Sequence, residues 1–192
     1  MGANFRKHEN GEDDLGVKAL ILYATSHGAT KVCAEKLAEA LGGQADVAAV
    51  KHFSGGTPPY DCVIVGSPVY GGSVLKEVKE YCRENSAQLA RKPFAVFFSC
   101  LSESEAAVRG YLERNFPPEL AGAALACASF GGAFYFSRLN FLERAIDRGL
   151  AKAYAKSSGT AAPDGIGDFV TISNEKIAAF AAKIREAVEA SA

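Results

Sequence analysis

The stretch Ala24-Thr25-Ser26-His27-Gly28-Ala29-Thr30 joins an uninterrupted apolar run to a segment of helical spacing, and this junction restricts the fold more than any other part of the chain. On its N-terminal side, Lys18-Ala19-Leu20-Ile21-Leu22-Tyr23 lacks polar alternation, the pattern of a strand covered on both faces. On its C-terminal side, Lys31 to Leu41 reads as a helix. A strand feeding a helix through hydroxyls at Thr25, Ser26 and Thr30, with Gly28 between them, presents side-chain oxygens and unpaired backbone N–H groups beyond the strand end. The positive end of the helix dipole adds to these, so a phosphate suits the turn. No Lys or Arg lies within it. That composition fits a phosphate monoester held by hydroxyls and amides, whereas a triphosphate would want a P-loop lysine and magnesium. The same residues are equally competent as plain helix caps.

The strand-then-helix pattern recurs along the chain. Gly42-Gly43 ends the first helix, Gln44 to Val50 is a short strand, and Lys51 to Pro59 is a loop. Tyr60 to Gly66 is a second continuous apolar strand, followed by a loop over Ser67-Pro68-Val69-Tyr70-Gly71-Gly72-Ser73. Val74 to Leu89 is helical, with Val74, Val78, Tyr81 and Cys82 on one stripe. Pro93 to Cys100 is a buried strand, Leu101-Ser102-Glu103-Ser104 a loop, and Glu105 to Asn115 a helix stopped by Pro117-Pro118. Ala121 to Gly131 makes a fifth strand of small residues. The last helix spans Ser173 to Ala190, with Ser173 as N-cap and Ile177, Phe180, Ala181, Ile184 and Val188 facing inward. Alternating β and α units predict a three-layered α/β fold built on a five-stranded, doubly wound parallel sheet. A chain of 192 residues has room for one such domain, expected over 17–192.

Ligands of such sheets lie beyond the carboxyl ends of the strands. Three loops meet there: Thr25 to Thr30, Ser67 to Ser73, and Cys100 to Ser104. The first takes the phosphate. The other two leave space for a flat ring, with Tyr70 the aromatic residue available for stacking and Gly71-Gly72 allowing backbone to approach a ring edge. Tyr70 has a plainer role open to it as a cover for the sheet edge. Of His8, His27 and His52, only His27 falls in a candidate loop, and Glu103 and Glu105 read as a solvated helix start. Few protein acids and bases point to a cofactor that carries the chemistry.

The formal net charge is −1, and no basic stripe is present, which argues against nucleic acid as a partner. Cys33, Cys62, Cys82, Cys100 and Cys127 lie far apart without neighbouring histidines, and read as reduced core thiols of a cytoplasmic protein, with no metal site. Residues 1–16 are polar and lack an apolar core segment, so they read as a disordered extension rather than a signal peptide. Arg6 removes the hydroxyl that an N-myristoylation signal needs. No apolar run approaches the roughly 20 residues of a membrane span.

The Thr-x-x-Gly-x-Thr turn after the first strand, Tyr60-Asp61 opening the third, Gly66-Ser67-Pro68 closing it, and the five βα units together resemble the flavodoxin family. The resemblance implies strand order 2-1-3-4-5 and a bound flavin mononucleotide (FMN). The FMN phosphate would lie on Thr25, Ser26, His27, Gly28, Ala29 and Thr30. The ring would lie between Ser67, Pro68, Val69, Tyr70, Gly71 and Gly72 on one side and Cys100, Leu101 and Ser102 on the other. Within the family, the long segment between the fifth strand and the last helix, the Ser157 to Thr160 turn and Asp168-Phe169-Val170-Thr171 resemble the quinone-dependent protoporphyrinogen dehydrogenases of flavodoxin type. That likeness implies an oxidoreductase passing electrons from a porphyrinogen through FMN to a quinone or other acceptor. A flavodoxin-type electron carrier without its own substrate is the alternative. This subfamily has arginines where this chain has Val69 and Phe134-Tyr135, and a Trp where it has Asn174.

The inserted segment, at about 134–168, has a character of its own. From Phe134 to Lys156 five basic residues stand against Glu143 and Asp147, a local charge of +3, and Leu139, Leu142, Ile146 and Leu150 recur at helical spacing. The plainer expectation is an amphipathic helix packed on the domain. The other is a lid or a peripheral membrane contact through 134–156 that brings a lipid-soluble quinone to the flavin.

Overall fold

The computed structural model describes residues 17–42, 44–55, 57, 59–101, 104–134, 149 and 168–191. Five strands form an open, parallel sheet: β1 (Ala19–Tyr23), β2 (Ala45–Ala49), β3 (Cys62–Tyr70), β5 (Phe94–Ser99) and β6 (Ala124–Ser129). Their spatial order is β2-β1-β3-β5-β6, and a two-residue strand, β4 (Ser73–Val74), folds back antiparallel on the end of β3. With β5 and β6 standing as fourth and fifth parallel strands, this is the expected flavodoxin-like order. In register, Ile21 lies between Val47 and Ile64, and Val65 pairs with Val96.

Alternation along the strands sends neighbouring side chains to opposite faces, so both must be covered. On one face Ala19, Ile21, Ile64, Ala95 and Phe97 meet Cys33, Ala34 and Leu37 of α1 (Ala29–Ala40) and Ile177, Phe180 and Ile184 of α6 (Asn174–Glu189). On the other, Leu20, Leu22, Val63, Val65, Val96 and Phe98 meet Val78 and Cys82 of α2 (Lys76–Glu84), Leu89 of α3 (Ser86–Leu89), Val108 and Leu112 of α4 (Glu105–Asn115), and Leu120 of α5 (Pro118–Ala123). Phe97 stacks on Phe130 with centroids 4.8 Å apart, and Phe130 meets Phe180 edge-on at 5.2 Å, which ties α6 to the sheet. Ser173 caps α6 by accepting from the Lys176 N–H.

Several boundaries differ from the sequence expectations. The third strand does not stop at Gly66. It runs to Tyr70, so Ser67, Pro68, Val69 and Tyr70 are strand rather than loop, with Pro68 past the last residue that β1 pairs, where the ladder is already one-sided. Val74 belongs to β4, and the expected helix over 74–89 is two helices. The break comes at Asn85, whose side-chain amide donates to Tyr81 O, one turn back. Pro117-Pro118 both stops α4 and starts α5, since proline suits the first helical position, and the fifth parallel strand is correspondingly shorter than 121–131.

After β6 the chain enters β7 (Ala133–Phe134), which pairs antiparallel with β8 (Phe169–Val170). These two strands bring the ends of the inserted segment together before α6. The extension over 1–16, and, apart from residue 149, the segment over 135–167 where helical character and membrane contact are expected, lie outside the described residues.

Candidate functional site

The turn expected to take a phosphate begins where the Ala24 N–H donates to Gly66 O at 3.0 Å, anchoring the end of β1 on β3. The Gly28 N–H then donates to Thr25 Oγ1 at 2.9 Å, which closes residues 25–28 into a compact turn, with Gly28 at φ 95°. The first helical bond of α1 is Val32 N–H to Gly28 O. The N–H groups of Ala29, Thr30 and Lys31 therefore precede it, no side chain caps the helix, and its first turn carries no acidic residue. Ser26 is exposed, and Thr25, His27, Gly28 and Ala29 are half-buried. Thr30 differs: it is fully buried, and its hydroxyl lies 2.6 Å from the Ser99 hydroxyl at the end of β5. One rim residue of the turn is thus joined to the strand that carries the third loop.

The second segment is a tight hairpin. Val69 pairs with Val74 and Tyr70 with Ser73, leaving Gly71 and Gly72 as a two-residue turn at φ 56° and 82°. Positive φ at both positions is the geometry that glycine supplies and that matches the twist of the flanking strands. Buried Ser67 donates to Pro68 O at 2.9 Å and accepts from the Leu75 N–H at 3.1 Å. Asn115 reaches the hairpin from the end of α4, and Lys79 Nζ donates to Ser73 Oγ at 2.6 Å. Tyr70 stands at the tip and is 47% exposed, an unusual position for so large an aromatic.

The third segment follows β5. Cys100 is buried, Leu101 half-buried, and Ser102 lies outside the described residues. Ser129 Oγ donates to Cys100 O at 2.9 Å, so the end of β6 holds this loop. A fourth segment joins it: a Cβ built on Gly132 would lie 3.2 Å from Leu101 Cδ2, and Gly132 exchanges bonds with Thr171 on β8's side of the neck (Gly132 N–H to Thr171 Oγ1, 3.0 Å; Thr171 N–H to Gly132 O, 2.9 Å). The neck of the insertion therefore rests on the third loop.

Ser99, Asn115, Ser129 and Thr171 had no counterpart among the residues expected from sequence. Each acts over a sequence separation that motif spacing cannot reveal, although a Ser at the last position of two strands of one parallel sheet is a usable hint. The described residues contain no group of three or more His, Cys, Asp or Glu that could hold a metal. Burial pushes the thiols of Cys33, Cys62 and Cys82 up to about 12, leaving them protonated and unreactive. An open cleft of about 600 Å³ lies elsewhere, between α2 and the corner after α4, lined by Lys76, Lys79, Arg83, Asn115 and Pro117. It backs onto the hairpin rather than onto the phosphate turn.

An open parallel sheet in this order, with helices on both faces, defines a flavodoxin-like α/β protein. The family model described as "Flavodoxin domain" matches residues 20–159. The chain belongs to the flavodoxin family. Among solved structures it is similar to a short-chain flavodoxin associated with a PDU bacterial microcompartment (14% identity, 90% of this chain and 99% of that one, TM-score 0.52). It is also similar to a WrbA-like flavodoxin from Agrobacterium tumefaciens (17%, 91% and 98%, TM-score 0.50) and to rubredoxin oxygen:oxidoreductase from Desulfovibrio gigas (16%, 90% and 36%, TM-score 0.51). At these identities the likeness is one of fold, and the chain spans about a third of the D. gigas enzyme. None of the curated protein sequences matches the chain.

The cofactor of this family, FMN, fits the residues present. Three N–H groups open at the start of α1, the Thr25 and Ser26 hydroxyls beside them, and the absence of an acidic side chain from that first turn match a phosphate monoester. Half-exposed Tyr70 and the glycine turn match a planar ring. Among the described residues no helix is long and apolar enough to cross a membrane.

Proposed function

We propose that the protein is an FMN-dependent oxidoreductase of the protoporphyrinogen dehydrogenase type, which takes electrons from a small organic substrate and passes them to a quinone or a protein acceptor. The observation that favours an enzyme over a simple carrier is the neck of the inserted segment, where β7 pairs with β8 and Gly132, just before β7, lies against Leu101. A carrier needs only an exposed ring edge. A long insertion whose neck lies beside the third loop would offer a substrate a second contact. When bound, FMN supplies the electron chemistry. The chain's own residues bind and orient: the N–H groups of Ala29, Thr30 and Lys31 and the hydroxyls of Thr25 and Ser26 take the phosphate, with His27 beside them. Tyr70 would stack on the ring, and the backbone of Gly71, Gly72, Cys100 and Leu101 would meet its edges, with Ser102 the further residue expected there from sequence. For the quinone, the basic residues of 134–156 would be the contact with anionic lipid, and retention of the protein on anionic vesicles at low salt tests it.

A second reading, a carrier without its own substrate, is favoured by Val69 and Phe134-Tyr135, uncharged where the porphyrinogen-oxidising subfamily has arginines. Anaerobic titration with protoporphyrinogen IX separates the two. Stoichiometric bleaching of the flavin band supports the enzyme. A band that dithionite bleaches and the porphyrinogen leaves unchanged supports the carrier.

A further inference from the structure

Two residue pairs, Val69 with Val74 and Tyr70 with Ser73, are all that join β4 to β3, and a ribbon so short does not hold its shape in water. Something else fixes the hairpin that presents Tyr70. Asn115 does so from 43 residues away: its Oδ1 accepts from the Val74 N–H at 3.2 Å, and its Nδ2 donates to Gly72 O at 3.0 Å and to Tyr111 O at 2.8 Å. One carboxamide thus takes the two backbone groups on the returning side of the turn and ties them to the last turn of α4. That helix is itself fixed, since Val108 and Leu112 are buried in the core. Its other end, where Ser104 accepts from the Ala107 N–H, adjoins the third loop. The hairpin is therefore tied to a rigid element, while Ser129 holds the third loop through Cys100 O.

We propose that Asn115 is the positioning residue for the flavin ring, setting the place of the Gly71–Gly72 turn and of Tyr70 relative to the Cys100–Leu101 loop. The inference rests on the reading of this hairpin as a ring contact. Because Asn115 acts on the ring side, its loss weakens FMN and riboflavin by the same factor and leaves the ratio of their dissociation constants unchanged, whereas a defect in the phosphate turn changes that ratio.

The test is fluorescence titration of the full chain with FMN and with riboflavin, for wild type, Asn115→Leu and Asn115→Asp, at a temperature where each variant shows a cooperative melt well above the assay. Asn115→Leu removes every bond and is expected to weaken both flavins about tenfold. Asn115→Asp keeps the acceptor for Val74 but loses both donors and sets a carboxylate oxygen against Gly72 O and Tyr111 O, so it is expected to weaken both flavins as well. Unchanged affinities in a folded Asn115→Leu variant, or a loss confined to FMN, overturn the proposal while leaving the flavoprotein reading intact. A wild-type protein that binds neither flavin overturns both.

Discussion

Thr25 turns its hydroxyl toward the Gly28 N–H and closes the turn just ahead of the helix. This is capping chemistry displaced one turn upstream, and it shapes the cradle rather than the helix. Replacing Thr25 with Ala is expected to cost about 1 kcal/mol of turn stability, which appears as roughly fivefold weaker FMN binding with riboflavin unaffected. Paired titrations with the two flavins check it. Gly131 is constrained more severely: at φ 89°, a Cβ there would sit 2.1 Å from Thr171 O, a backbone atom that no rotamer change can move. Gly131→Ala is expected to destabilise the fold by about 3 kcal/mol. Gly122→Ala, where a Cβ meets nothing within 4 Å inside α5, is expected to be neutral or stabilising in the same urea titration.

The elements that alternate plain apolar runs with helical spacing were legible in the sequence, because a strand buried on both faces has no polar alternation to confuse it. That holds for β1 and β5, and for α6 with its Ser173 cap. What sequence reading missed was local punctuation. Gly71-Gly72 between Tyr70 and Ser73 reads as part of a loop from apolar spacing, although a Gly-Gly pair flanked by β-formers is a hairpin signal, and Asn115 holds the antiparallel return in place. Asn85 breaks a helix that apolar spacing alone runs together, and Pro118 starts one where a breaker was expected. The Thr30–Ser99 pair links α1 to β5 by chemistry that no spacing rule foresees. Thr30→Val leaves one buried hydroxyl without its partner and is expected to cost about 2 kcal/mol. Adding Ser99→Ala to it is expected to cost less than the sum of the single changes, which a double-mutant cycle in denaturant measures.

At the scale of the whole molecule, two apolar layers sandwich the sheet and seal its thiols. Burial holds the Cys33, Cys62 and Cys82 thiols at about 12 against an ordinary 9.0; Asp61 pushes Cys62 the same way, while Lys36 and Lys92 oppose at Cys33 and Cys62. The folded chain keeps protons that the unfolded chain releases above about pH 9. Their contribution to stability is complete below that pH and is lost as pH rises toward 12. The urea midpoint is expected to fall through this window, and thiol reagents are expected to reach these three cysteines only as the protein unfolds. The layers also leave the carboxyl edge of the sheet as the place where the phosphate turn, the hairpin and the third loop converge. The most direct test of that site is the affinity of the wild-type chain for FMN and for riboflavin, measured side by side by fluorescence quenching. Binding of one FMN per chain, with riboflavin at least about 100-fold weaker, is the predicted result, since the phosphate would then contribute charge-assisted bonds to the open amides of α1. Equal affinity for the two flavins, or no binding of either, would contradict it.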